Sequence, residues 1–151
     1  MRHHCFVTAL VVLFFASTAS ASAQQPEAVG RIKLVSGAAF LVRGNAQVPA
    51  QAGQLLYQSD LLRTGTDGSI GVALKDDTRV ALGPASEIKL DRFSYAPAEG
   101  QLALVLRVVR GAAAYVSGRI AKLAPDAVRI ETPAAILGVR GTTLAIRIGD
   151  Q

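Results

Sequence analysis

The sequence predicts an all-β protein, built as a single domain of short strands. Three observations favour this class. Hydrophobic residues alternate with other residues in short runs, which is the period of a half-buried strand. The 14 glycines and 6 prolines stand at most joints between these runs. Half of the chain is hydrophobic but only 5% is aromatic, so we expect a core of Val, Ile, Leu and Ala. Both a β-solenoid and a β-sandwich fit this pattern.

The first 23 residues have the pattern of a cleaved signal peptide. Arg2 provides the positive start, Cys5 to Ala16 form a 12-residue apolar run, and Ala21-Ser22-Ala23 is a small-x-small cleavage motif. We expect cleavage before Gln24. The run is shorter than the roughly 20 residues of a membrane-spanning helix, so a retained anchor is the weaker interpretation. Cys5 precedes the end of the run, so a lipid anchor is not expected.

Cleavage would remove both histidines and the single cysteine, which are His3, His4 and Cys5. Thiol chemistry, imidazole catalysis, a Cys/His metal site and disulfides would then be excluded. Because Arg2 is also lost, the processed chain would keep 15 basic and 11 acidic residues, a formal charge of +4. An exported domain without disulfides depends on its hydrophobic core.

Residues 24–28 are polar and include Pro26, which predicts a short tether, and the domain itself is expected over residues 29–151. Its first alternating runs, at 32–34 and 38–42, lie on either side of Ser36-Gly37. The runs at 70–74 and 80–82 flank the polar segment Lys75 to Arg79. Two alternating runs around a polar turn predict a β-hairpin.

Later alternating runs lie at 88–90, 102–108, 112–116, 128–130 and 144–148, with breaks at 95–100, 110–111, 117–118 and 132–133. A helix over residues 101–123 is the competing interpretation. Gly111 and Gly118 oppose it, because each glycine costs about 1 kcal/mol in a helix interior. The β-branched residues Val105, Val108 and Val109 oppose it as well. We therefore predict strands in this region.

The stretch GVRGTTLAIRI, from Gly138 to Ile148, has the glycine spacing of an anion-binding loop. A phosphate loop requires a Gly-Lys-Ser/Thr ending that leads into a helix, whereas here Arg140 precedes Gly141 and a strand follows. Phosphate binding is therefore not predicted. The pair Asp76-Asp77 lacks the spaced acidic loop of a calcium site, and we expect it in a solvated hairpin turn. No metal and no cofactor are expected.

The processed sequence also shows no recognisable set of catalytic residues. The 11 acidic residues are scattered, whereas carboxylate catalysis requires a pair held in a cleft. The serines of the processed chain have no histidine partner, although a Ser/Lys dyad stays open. These serines are Ser36, Ser59, Ser69, Ser86, Ser94 and Ser117. We predict that the protein is not an enzyme.

Eleven arginines are spread along the processed chain from Arg31 to Arg147. Nucleic-acid binding is not expected, because aromatic residues that could stack on bases are few and the chain is predicted to be exported. The arginines are expected on the solvent faces and ends of strands. Some of them would meet an anionic partner.

The sequence also offers candidates for structural turns and for partner contacts. The candidates for structural turns are Gly37, Gly65, Gly83, Pro133, Gly138 and Gly141. Gly138 and Gly141 would let the chain turn before the last strand, and Thr142 would form a hydrogen bond across that turn. Arg140 and Thr142 are the candidates for partner binding. For this loop we favour the structural role over direct contact by Arg140.

Three segments together resemble a known family. They are VGRIKLVSGAAFLVR, AGQLLYQSDLLRTGTDGSIGVALKDDTRVALGPASEIKLD and VRIETPAAILGVRGTTLAI. They resemble the FecR domain of bacterial envelope proteins over about Val29 to Ile148. The landmarks are Gly37, Gly53, Asp60, Thr64-Gly65, Asp76, Gly83, Ser86, Thr132-Pro133, Gly138 and Arg140-Gly141-Thr142. One departure is Asp76-Asp77-Thr78, where the family usually has Asp-Gly-Ser or Asp-Gly-Thr.

The resemblance implies an all-β periplasmic domain without enzymatic activity. In its best-known members the domain belongs to a transmembrane regulator that relays a signal from an outer-membrane receptor to a cytoplasmic sigma factor. That relay requires a cytoplasmic segment and a spanning helix, whereas the predicted signal peptide here leads directly into the domain and the sequence ends at Gln151. Sigma-factor contact and a membrane span after cleavage are therefore not expected.

We expect a periplasmic or secreted domain that binds another macromolecule, with an envelope or outer-membrane protein as its partner. Exposed strand edges are the expected docking surface, since their unpaired N–H and C=O groups can accept a partner strand. The alternative is a module that binds envelope polysaccharide or another anionic ligand through its arginines. The low aromatic content opposes sugar binding.

Overall fold

The computed structural model describes residues 23–141 and 143–149. Almost all of the predicted signal peptide lies outside these ranges, so its cleavage stays a prediction. Residues 24–28, the predicted tether, form no strand or helix, and the Glu27 carboxylate lies 2.5 Å from Lys75 Nζ. Within residues 23–141 and 143–149, the structure contains no helix with the length and hydropathy of a membrane span.

The described residues form twelve strands and one short helix, which confirms the all-β class. The strands are β1 (Gly30–Ser36), β2 (Ala39–Arg43), β3 (Ala46–Pro49), β4 (Leu55–Leu56), β5 (Leu61–Thr64), β6 (Ser69–Leu74), β7 (Arg79–Leu82), β8 (Glu87–Ala96), β9 (Gln101–Val116), β10 (Val128–Glu131), β11 (Ile136–Gly138) and β12 (Thr143–Ile148). The helix α1 spans Arg119–Leu123, and 3₁₀ turns occupy Pro97–Glu99 and Pro125–Ala127. The predicted hairpin is β6 and β7, which pair antiparallel.

All described strands join in one continuous sheet that curls into a half-barrel. Hydrogen-bonded neighbours follow the order β3-β2-β5-β8-β9-β7-β6-β1-β4. Strands β10 and β12 also pair with β9, and β11 pairs with β10. Every pairing is antiparallel except that of β10 with β9. This arrangement differs from the stacked coils of a solenoid, whose neighbouring strands run parallel.

Strand β9 belongs to both sides of the curl. Its first half, residues 101–110, lies between β8 and β10, and its second half, residues 111–116, lies between β7 and β12. The sequence predicted a break at Arg110-Gly111, but the strand continues through it as a bend. Gly111 has φ +79°, and a Cβ there would lie 2.6 Å from the Ala85 carbonyl oxygen. Only glycine accepts this bend without strain.

The strand prediction over residues 101–123 is confirmed up to Val116. The following five residues form α1, so the helical alternative holds only for the end of the range. Ile120 and Ala121 of this helix are buried in the core. The helix therefore packs one of its sides against the core of the sheet.

The core lies inside the curl and is built mainly from Val, Leu, Ile and Ala, as composition predicted. Alternate residues of each strand point inward, as Ile70, Val72 and Leu74 do on β6. Tyr115 is the exception, because this aromatic residue is almost fully buried. Burial raises the pKa of its phenol above the ordinary value.

Candidate functional site

Five polar residues are buried in the described chain: Asp60, Thr64, Asp76, Thr78 and Ser86. A buried polar side chain is costly unless its hydrogen bonds are made inside the protein. Four of these residues are among the landmarks of the resemblance. Their contacts therefore decide whether the landmarks form an active site or part of the scaffold.

Asp60 is held by an arginine and by the backbone. Arg43 donates to both carboxylate oxygens, with Nε and Nη2 each at 2.7 Å, and the Tyr57 N–H donates at 2.8 Å. The Arg43 guanidinium also lies 4.5 Å from the centre of the Tyr57 ring. Hydrogen bonding to Asp60 raises the pKa of Arg43. This two-point pair fixes β2 against the turn that precedes β5.

Thr64 and Ser86 connect β5 to the bend of β9. The Thr64 hydroxyl donates to the Gly83 carbonyl at 2.6 Å and accepts from the Ser86 N–H at 2.9 Å. The Ser86 hydroxyl donates to the Pro84 carbonyl and accepts from the Ala112 N–H at 2.8 Å. Ser86 is thus occupied by backbone contacts. In the described part of the chain, no serine hydroxyl bonds to a lysine, so a Ser/Lys dyad has no support among these residues.

Asp76 is 0% exposed, so the prediction that it lies in a solvated turn is wrong. Its Oδ1 accepts the Thr78 N–H at 3.1 Å, and its Oδ2 accepts the Thr78 hydroxyl at 2.8 Å and the Ile120 N–H at 3.2 Å. The carboxylate thereby satisfies an N–H at the start of α1 that has no partner within the helix. Only Asp77 lies in solvent, 3.0 Å from Arg119 Nε.

The buried polar residues therefore act as structural anchors. The Asp76-Thr78 spacing is a local signal for this role, since Asp and Thr side chains bind backbone groups two residues away. Across the described ranges, no group of three or more His, Cys, Asp or Glu side chains could hold a metal ion.

One outer surface of the sheet, here called the charged face, is formed by β5, β8, β10 and the first half of β9. Glu87 lies 3.0 Å from Arg63 Nε and 3.5 Å from Arg110 Nε. Arg107 lies 2.9 Å from Asp91 and 3.2 Å from Glu131. Most cations of this face are thus paired with carboxylates of neighbouring strands, which lowers their availability to an anionic ligand.

The opposite outer surface, here called the small-residue face, carries no such ladder among its described residues. The strand register places Leu34, Gly71, Ala81, Ala114 and Ala145 in one row across β1, β6, β7, β9 and β12. Leu34 is 73% exposed. The two outer surfaces therefore differ in cross-strand ion pairing, which covers the charged face and not the described part of the small-residue face.

The curl is open between β11 and β12. Among the described residues, β12 pairs with β9 alone and β11 with β10 alone. An open cleft of about 630 Å³ lies beside them, with Val109 and Arg110 of β9, Leu137 of β11 and Ile146 of β12 in its lining. We call it the seam cleft. The inward side chains of β12, which are Leu144, Ile146 and Ile148, are only half-buried although they pack against the core.

The predicted partner-binding residues lie just before β12. Arg140 is 80% exposed, and its Nη2 lies 3.2 Å from an oxygen of Asp126, whose side chain is also largely open to solvent. Thr142 lies outside the described residues. A role of either residue in binding stays a prediction.

The predicted turn residues are placed at bends and at strand ends. Gly37 has φ +62°, and a Cβ there would overlap the Asp67 carbonyl oxygen. The N–H groups of Gly65 and Gly83 donate to Ala38 and Ala112 carbonyls at 2.8 and 2.9 Å. Pro133 lies in the bend between β10 and β11.

Gly138 ends β11, and Gly141 lies in the bend before β12. Neither has a positive φ, and an added Cβ would contact no described atom within 4 Å. The structure thus gives no steric requirement for glycine at these two positions.

Comparison with known proteins gives one finding. A family model described as FecR protein matches residues 60–151, more than half of the chain. The match begins at Asp60 and contains all five buried polar residues. No curated protein and no solved structure matches the chain.

Proposed function

The chain belongs to the FecR protein family, and on that premise we propose that it is a non-enzymatic, exported domain that binds another protein of the bacterial cell envelope. Export is supported by the signal-peptide pattern of the first 23 residues. Protein binding is consistent with the family, which is a protein-interacting family.

The observation that carries the proposal is the contrast between the interior and the edges of the sheet. The buried polar side chains are used by structural hydrogen bonds. The edge of β12, in contrast, offers backbone N–H and C=O groups that no described strand uses. Backbone groups at a strand edge bind another polypeptide by strand addition.

Crosslinking in intact cells tests this function. A photoreactive crosslinker placed on β12 of the exported protein is expected to capture one envelope protein reproducibly. Co-expressed protein that lacks the crosslinker should reduce that capture. The matched control carries the crosslinker on the charged face, at Arg92, away from the seam cleft. Equal background capture from both positions, with no competition, would contradict the proposal.

The alternative, binding of an anionic envelope polysaccharide, has less support. Arg63, Arg107 and Arg110 already lie within 3.5 Å of carboxylates. Arg140 also lies near a carboxylate, 3.2 Å from Asp126, but both side chains are largely exposed, so this pair is weak and Arg140 stays accessible to an anion. Salt-sensitive binding to purified envelope polymers that is lost in Arg140→Ala, with unchanged thermal stability, would favour this alternative.

A further inference from the structure

The free edge strands of the sheet differ in length and in the features that prevent them from pairing with other chains. In the described chain, β3 has four residues and ends at Pro49, β4 has two residues, and β11 has three. Strand β12 has six residues and contains no proline. Natural proteins usually blunt exposed edges by shortness, proline or charge, because an open edge pairs with other chains. Strand β12 lacks the first two of these protections.

The side chains of β12 indicate that its inner surface is incompletely covered. On β7, which has a neighbour on both sides, the inward residues Val80 and Leu82 are almost fully buried. On β12 the inward residues Leu144, Ile146 and Ile148 stay half-exposed next to the seam cleft. One added strand beside β12 would cover this apolar surface.

Charge indicates which kind of strand fits. Arg110 and Arg147 line the seam cleft, and none of its described lining residues is acidic. Arg110 shares Glu87 with Arg63, at 3.5 Å, whereas Arg147 lies on β12 itself and is exposed. Opposite charges on neighbouring strands attract, and like charges repel. An acidic residue on the added strand therefore complements Arg147.

We propose that an extended, acidic segment of the partner protein adds to the free edge of β12 as an extra strand. Its alternate apolar side chains cover Leu144, Ile146 and Ile148, and the intervening carboxylates face Arg147. This assignment rests on the proposed function and names its contact surface. A second copy of this basic chain fits less well, because pairing two β12 edges brings two net positive domains together.

The test uses the purified protein in the form in which the cell produces it. It is mixed with peptides of about eight residues, close to a natural strand length, whose two termini are chemically blocked. In the acidic peptide, valine alternates with threonine and glutamate, and in the matched peptide lysine replaces glutamate. We expect the acidic peptide to bind about three- to tenfold more tightly. It should also slow amide hydrogen exchange in Thr143–Ile148, with little change in β3 or β4.

A charge reversal provides the matched variants. Arg147→Glu should reverse the preference, so that the lysine peptide binds more tightly. Arg79→Glu makes the same charge change on an exposed residue of β7, outside the edge, and should keep the original preference. Retained exchange protection elsewhere in the sheet shows that both variants are folded.

Several results would overturn the assignment. They are no binding of either peptide, equal affinity for both, protection outside β12, or a concentration-dependent dimer that protects β12 without peptide. If cellular crosslinking finds a specific partner but these results occur, the proposed function stands and the surface is wrong. If the peptides bind as expected but no partner is captured, the edge is correct and the proposed function is contradicted.

Discussion

At the residue scale, four of the family landmarks are buried polar side chains that hold separate segments of the chain together. Asp60, Thr64, Asp76 and Ser86 each connect two segments that are distant in sequence, and each is almost fully buried. A hydrogen bond to a buried charged group contributes more than one at the surface, because its loss leaves an uncompensated group inside. Their substitution should therefore reduce stability.

Adjacent aspartates allow a matched test. Asp76→Asn replaces an acceptor of buried hydrogen bonds with an NH₂ group, and we expect the free energy of unfolding to fall by about 2–3 kcal/mol. Asp77→Asn removes only an exposed pair with Arg119 and should cost less than about 1 kcal/mol. Urea unfolding of both variants measures the difference. Equal losses would show that Asp76 is not an anchor.

Tyr115 predicts an alkaline limit to stability. Burial raises the pKa of its phenol, so above about pH 10 an unfolded tyrosine loses its proton more readily than Tyr115 in the folded state. The contribution of protonated Tyr115 to the free energy of unfolding is present below that pH, and it is lost as the pH rises through the pKa of the folded state. Urea unfolding from pH 8 to 11 should therefore show a steeper decline for the wild type than for Tyr115→Phe. Parallel declines would contradict this role.

At the element scale, the bend of β9 decides whether one strand can serve both sides of the curl. Gly111→Ala would combine a positive φ with overlap against Ala85 and Ser86. We expect a loss of about 3 kcal/mol in the free energy of unfolding.

Gly141→Ala is the control for this substitution, because the added Cβ meets no described atom within 4 Å. It should change stability by less than about 0.5 kcal/mol. Thermal unfolding compares the two variants. If Gly141→Ala were as damaging as Gly111→Ala, the loop before β12 would be a structural corner, as its glycine spacing first suggested.

At the scale of the whole molecule, export predicts a defined processed product. Cleavage after Ala23 removes the apolar run and leaves Gln24 as the first residue. Mass spectrometry of the protein from a periplasmic or culture fraction should find this terminus. An Ala23→Arg variant, which disrupts the small-x-small motif, should accumulate unprocessed. A wild-type chain that keeps Met1 in the cytoplasm would contradict the expectation.

Much of the fold could be predicted from local pattern, because alternation and glycine breaks are properties of neighbouring residues. The hairpin of β6 and β7 follows directly from Ile70, Val72, Val80 and their polar turn. Pairing order could not be predicted, since alternation does not specify which strand lies beside another. Asp76 was assigned to solvent because turn composition does not reveal that α1 packs over it.

The sequence predicted that an exposed strand edge would be the docking surface, but not which strand would provide it. Exposed edges follow from an all-β fold, but the pattern of TLAIRI is the same whether a strand has one neighbour or two. The open edge of β12 depends on the curl ending there, which is a property of the complete sheet.

The shared strand β9 also sets the order in which the protein can fold. Strands β1, β4, β6 and β7 pair among themselves, as do β2, β3 and β5, and β8 and β9 join these two groups. A chain that leaves the ribosome from its N-terminus can first form only two small separate sheets. Strand β9 begins at Gln101, so both smaller sheets keep an open edge until about two thirds of the chain has left the ribosome.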